Sequence, residues 1–264
     1  MTTWPSRQTR AFKNRRKRRR IFLFMTTLII VVIAIFYTLF LSGWFKVKDI
    51  QVIDNRFSNA EQLKQNIADY LSSKKFLGLI NFKNNLLFLA AGDFRTLLSQ
   101  VPAIKDFKLS KNFKNRTLIF NIQERQINGV LCFGGEGGAC FYFDSGGVVF
   151  AGAPQTEGSL IFLIRDNSGR IYNLGDGILS AENFGDLIAI RNLLANYFRL
   201  DLIQINAADL TIKSSAGWEI YLNPEDLART FMALQNLIQN NFDFNSLEYL
   251  DLRYLPNIYW KSIS

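Results

Sequence analysis

Residues 21–42 read IFLFMTTLIIVVIAIFYTLFLS, 22 residues without a charge, set between Arg20 and Gly43-Trp44-Phe45-Lys46. At about 1.5 Å per residue a helix of this length spans roughly 33 Å, enough to cross the hydrocarbon core of a bilayer. A cleaved signal peptide has a shorter apolar stretch, about 7–15 residues, and an A-x-A-like site. Here only Ser42-Gly43 offers small residues, so the stretch is read as an uncleaved anchor.

The charge distribution orients that anchor. Of the 31 Lys and Arg, nine precede Ile21, where there is no Asp or Glu; the remaining 22 equal the 22 acidic residues. The net charge of +9 therefore belongs to one tail, residues 1–20. The positive-inside rule keeps that tail cytoplasmic and predicts a single-pass type II protein with the bulk of the chain outside. The tail also suits contact with anionic lipid, at about 1 kcal/mol per basic residue. The neutral body gives no support to nucleic-acid binding. With no histidine, the commonest general base, the His-dependent triads and the commonest metal ligand are gone. Two cysteines do not make a four-ligand zinc site. No enzyme, cofactor, metal or small-molecule substrate is expected.

Residues 46–125 read as strand, helix, helix, strand, strand. VKDIQVI carries Ile50 and Val52 on one face. Ser58, with Glu61 three residues on, makes a capping box for a helix with Leu63, Ile67, Tyr70 and Leu71 as its stripe. Beyond a Lys-rich stretch over 72–84, Phe94, Leu97, Leu98 and Val101 form a second stripe, stopped by Pro102. Two alternating strands, around Phe107 and Leu109 and around Leu118, Phe120 and Ile122, join through a turn over 112–116. Residues 126–264 read as a mostly antiparallel β domain. Its strands are expected at 127–133, 139–143, 147–150, 160–164, 209–213, 218–222, 247–253 and 257–261. One helix runs over 181–198 behind Ser180, and another starts at Asn223-Pro224-Glu225-Asp226. The fold class is α+β.

Five motifs in this order carry a resemblance. Phe45-Lys46-Val47-Lys48-Asp49-Ile50-Gln51-Val52 precedes Asn55; Asn85-Leu86-Leu87-Phe88-Leu89 leads to Val101-Pro102; and Thr117 to Arg125 read TLIFNIQER. Asp144 to Phe150 read DSGGVVF, and Leu250 to Tyr254 read LDLRY. Together, behind one anchor, they resemble the FtsQ/DivIB family of bacterial cell-division proteins. The resemblance implies a cytoplasmic tail (1–20), a transmembrane helix (21–42), a POTRA domain (46–125, βααββ) and a β domain (126–264). The chain departs from the pattern at Asp54, at Lys114-Asn115 and at Gln126-Ile127, and residues 151–180 match nothing in it. The implied function is non-enzymatic: a divisome scaffold in the bacterial inner membrane at the septum. It would bind single-pass division proteins of the FtsB/FtsL or DivIC type and help recruit or regulate septal cell-wall synthesis. The alternative is a POTRA-bearing, membrane-anchored protein of export or envelope assembly.

Candidate sites follow. Little sequence follows 257–261, and Pro256 cannot occupy a central strand, so this strand is expected to be a sheet edge. It carries Tyr259 and Trp260, with Tyr254 before it; the resemblance places partner binding here, at Tyr254 and Trp260. Arg253 joins the candidates. It shares a strand face with Asp251, opposite Leu250, Leu252 and Tyr254, and is structural or partner-facing. Cys132 and Cys140 lie symmetrically about the Gly134–Gly138 tip and are predicted to bridge a hairpin. That tip, GGEGG, lacks the Gly-Lys-Ser/Thr of a phosphate loop. Glu124-Arg125 is a solvated strand end, an ion pair or a partner contact. Asp144, Asp166, Asp176 and Glu182 are read as turn formers and caps.

Overall fold

A computed structural model describes residues 7–41, 43–73, 84–135, 137–155 and 161–263. Most of the predicted Lys-rich stretch, the centre of the glycine tip and the start of the predicted 160–164 strand lie outside these residues.

The first helix, α1 (Arg7–Phe36), starts well before the apolar stretch and gives way at Tyr37–Leu41 to a π-helical turn. Lys and Arg are good helix formers, so the helix extends through the basic segment. Residues 20–45 are long and apolar enough to cross a membrane. Its threonines do not expose unpaired hydroxyls. Thr26 donates to the Leu23 carbonyl at 2.9 Å, Thr38 to Ile35 at 2.9 Å, and Thr27 to Leu23.

The chain divides into two compact units. The first comprises residues 1–54, 59–97 and 107–122, the second 55–58, 98–106 and 123–264. In chain order come β1 (Asp49–Ile53), α2 (Ala60–Ser72), α3 (Gly92–Leu98), β2 (Ile104–Asn112) and β3 (Thr117–Glu124). β3 is the central strand, parallel to β1 and flanked on its other side by β2. That position buries Leu118, Phe120 and Ile122, and the Phe94 ring of α3 meets Phe120 edge-on at 5.0 Å. The stripe Leu63, Ile67 and Leu71 is the buried face of α2. Its cap is Asn59, which accepts from the N–H groups of Glu61 and Gln62, and not Ser58. Ser58 is engaged elsewhere: its N–H donates to Glu124 at 2.8 Å and its hydroxyl at 2.5 Å.

The second unit is built on a nine-stranded sheet in the order β12-β11-β10-β9-β8-β7-β4-β5-β6. The strands are β4 (Gly129–Phe133), β5 (Ala139–Phe143), β6 (Val149–Ala153), β7 (Leu163–Asp166), β8 (Leu200–Ile205), β9 (Leu210–Ser214), β10 (Glu219–Leu222), β11 (Leu247–Asp251) and β12 (Tyr259–Ser262). The β4–β7, β7–β8 and β10–β11 pairs are parallel and the other five antiparallel. Two helices, α4 (Ala181–Ala195) and α5 (Leu227–Gln239), bury Phe184, Leu187, Ile190 and Leu234 in the core that covers one face.

Register makes the two faces explicit. One cross-strand row runs Phe141–Leu131–Ile164–Ile203–Ile212–Ile220–Leu250–Trp260. Every member from Leu131 to Leu250 belongs to the core under the helices. The next row, one residue along, runs Cys140–Cys132–Arg165–Gln204–Thr211–Tyr221–Asp251–Tyr259 and points to the other face.

Three further features differ from the sequence reading. β8 was not expected; it sits between β7 and β9 directly after α4. α5 starts at Leu227, because Asn223 caps a separate turn by accepting from the Glu225 N–H at 3.0 Å. β11 stops at Asp251, so Tyr254 does not share a strand face with Leu250 and Leu252: those two are buried, while Tyr254 sits in a turn, 60% exposed.

Candidate functional site

The turn between β11 and β12 is tied down by charge. Asp251 is buried, and its carboxylate accepts from the Arg253 N–H and Nε, each at 3.0 Å, and from Nη2 at 2.7 Å. Arg253 Nη1 donates to Asp209 at 2.9 Å. Burial works against the Asp251 carboxylate, but the hydrogen bonds from Arg253 outweigh it and hold the carboxyl below the ordinary range. The same bonds raise the Arg253 guanidinium. Arg253 is thus committed to two internal carboxylates, while its guanidinium also lies 5.5 Å from the Tyr254 ring. Beyond it, the Asn257 N–H closes onto the Tyr254 carbonyl at 3.0 Å, and the chain enters β12.

Among the described residues β12 has a strand neighbour on one side only. All four of its residues are exposed. Tyr259 is 54% and Trp260 56% exposed. Trp260 continues the core row past Leu250 and meets Phe242 edge-on at 5.8 Å, leaving half its surface uncovered. Lys261 pairs with Glu248 at 2.7 Å, and that bond raises its ammonium. Beside this edge lies a groove of about 400 Å³ between Met232, Ala233 and Leu237 of α5 and Leu255, Pro256 and Ile258. The arrangement offers backbone hydrogen bonds, exposed aromatic rings and an apolar flank, a set that suits strand addition by a partner.

The other sequence candidates lie elsewhere. Cys132 and Cys140 face each other in β4 and β5, Cα atoms 4.1 Å apart, with their sulfurs bonded. Glu124 and Arg125 are not a solvated strand end. Glu124 accepts from the N–H groups of Arg56, Phe57 and Ser58 at 2.7, 2.9 and 2.8 Å. Burial opposes its charge, yet these bonds and the Ser58 hydroxyl hold its carboxyl below the ordinary value. Arg125 pairs with Asp144 and donates from Nε to the Pro102 carbonyl at 2.9 Å. Asp144, Asp166 and Asp176 do accept from turn N–H groups, and Asp166 also takes the buried Tyr172 hydroxyl at 2.6 Å. Among the described residues no group of three His, Cys, Asp or Glu is arranged to hold a metal.

Sequence reading missed the polar side chains of the open face, Arg165, Gln204 and Lys213. Once β8 is unrecognised, nothing local joins them. The available signal was the alternation Leu202-Ile203-Gln204-Ile205 behind the helix. Compared with models of known protein families and with curated proteins, the chain matches none.

Proposed function

We propose that this chain is a membrane-anchored, non-enzymatic scaffold of bacterial cell division, of the FtsQ/DivIB kind. Residues 1–20 are cytoplasmic and the chain from about residue 44 onward extracytoplasmic, in a single-pass type II arrangement at the septum of the inner membrane. The observation that carries the reading is β12: a strand with one neighbour among the described residues, bearing Tyr259 and Trp260 half-exposed behind an exposed Tyr254. Such aromatics are the residues over-represented at binding hot spots, and an unpaired edge accepts a strand. A single-pass partner of the FtsB/FtsL or DivIC type adds that strand. The order β1-α2-α3-β2-β3 supports reading the first unit as a POTRA domain. The nine-to-none charge asymmetry before Ile21 supports the orientation.

The test is photo-crosslinking in cells from a reactive residue placed at Tyr259, combined with Trp260→Ala and Tyr254→Ala in the full chain. Crosslinks to single-pass division proteins are expected, with both variants losing them while melting as the wild type does. Crosslinks that persist in both variants, or a partner set from export machinery, would overturn the reading.

A further inference from the structure

We propose that the open face of the nine-stranded sheet carries a second binding site, a cleft for an acidic peptide segment of a partner. The cleft encloses about 540 Å³, within the range of about 300–1,000 Å³ typical of ligand sites and far more than one small anion needs. Sheet register builds it. Cys132 lies opposite Arg165, Arg165 opposite Gln204, and Leu202 opposite Lys213. Strand alternation turns these side chains away from α4 and α5. The disulfide and the glycines at 135, 137 and 138 form one wall. Gly138 cannot be replaced there, since a Cβ would stand 1.9 Å from the Phe133 carbonyl oxygen.

Charge names the ligand. No Asp or Glu occurs among the described lining residues, which include Arg165 and Lys213. Lys213 shares its charge with Glu219, at 2.8 Å. Arg165 is exposed and makes no ion pair among the described residues. A guanidinium fork with no acid paired to it among the described residues matches a carboxylate with two parallel hydrogen bonds. The surrounding amides suit a peptide backbone. Gln204 uses its nitrogen on Asn206 at 3.2 Å and Gln155 on the Gly138 carbonyl at 3.0 Å. Each leaves a carbonyl oxygen to accept a ligand N–H. The site does not rest on the reading of β12, from which β10 and β11 separate it.

The test uses the full-length protein in detergent, at about 0.15 M salt so that distant charges are screened. The probe is a fluorescent Gly-Glu-Glu-Gly-Glu peptide bearing a photo-crosslinker, with the Glu→Gln peptide as its neutral counterpart. No division protein is present, so the outcome is independent of the scaffold reading. Saturable binding of the acidic peptide is expected, with crosslinks in 132–140, 165–167 or 202–213. Arg165→Gln and Lys213→Gln should each weaken it roughly tenfold, the scale of one charge-assisted contact. Arg165→Lys, which keeps the charge and loses the fork, should fall between wild type and Arg165→Gln. Crosslinks confined to the basic segment 7–20, equal binding of the neutral peptide, no saturable binding, or unchanged affinity in both Gln variants would overturn the proposal. The wild-type crosslink map decides even if a variant folds poorly.

Discussion

The two faces of the nine-stranded sheet are made by the same strands and differ by a shift of one residue. Ile164 lies fully buried under the helices, and its neighbour Arg165 lies exposed on the other face. The covered row is almost all Ile and Leu. The open row is a disulfide, a guanidinium, an amide, a hydroxyl, two tyrosines and an acid. The covered face must exclude water and so admits few residue types. The other row admits polar residues: Arg165 and Tyr259 are exposed there, while Cys140, Thr211 and Asp251 are buried. Trp260 stands at the end of the covered row and is half-exposed on the edge strand.

Substitutions in β7 test this contrast most strongly. Ile164→Ala should cost about 2–5 kcal/mol of unfolding free energy, as loss of a buried aliphatic side chain does. Arg165→Ala should stay within about 0.5 kcal/mol, as for a surface site. Urea unfolding followed by circular dichroism measures both, and a comparable cost at Arg165 would mean that the second face is covered too. The disulfide gives the next effect. Its eight-residue separation closes a short loop, worth about 2–3 kcal/mol in the chain-entropy model. Cys132→Ser with Cys140→Ser should lower stability by that amount, and reductant should destabilise the wild type but not the double variant. A wild type indifferent to reductant would show that the open row holds no covalent tie.

The third effect is read along pH. The carboxyls of Glu124 and Asp251 are both held below their ordinary values in the folded protein. A depressed carboxyl contributes stability above its unfolded value, and that contribution is lost as pH falls through the folded one. Stability should therefore be level on this account from neutrality to about pH 5 and decline in acid. Glu124→Gln removes the charged acceptor of three backbone N–H groups. Its stability should be lower than wild type at neutrality and converge with it in acid. A constant gap across the whole range would rule out titration of Glu124 as the cause.

Legibility followed the range of the interactions. β5 has the bounds expected for it, 139–143, and the α2 stripe is read from its spacing. The edge position of β12 was legible because Pro256 limits where the strand can pair. The cap of α2 was misassigned by one residue because Ser58 answers to Glu124, 66 residues away. β8 was lost because its alternation starts immediately after α4, where a helix end and a strand start look alike. Arg253 was readable as a charge on the strand bearing Asp251, but Asp209, its other partner, is brought to it only by the sheet. The cleft was invisible for the same reason: its residues come from β4, β5, β7, β8 and β9, and strand order alone gathers them.

The mixture of strand directions separates pairings that are local in sequence from pairings that are distant. The antiparallel pairs β4–β5, β5–β6, β8–β9, β9–β10 and β11–β12 close over short connections and join into blocks by themselves. The parallel seams β7–β8 and β10–β11 wait for α4 and α5 to cross the sheet. β11 and β12 form the block attached through one such seam, registered over three residue pairs, Glu219–Tyr249, Ile220–Leu250 and Tyr221–Asp251. The edge strand β12 is therefore carried by a two-strand block whose seam to the rest of the sheet is as short as that between β7 and β8, three residue pairs each. A strand added to β12, as proposed above, would lengthen that small block from two strands to three and so would brace the seam as well as cover the edge.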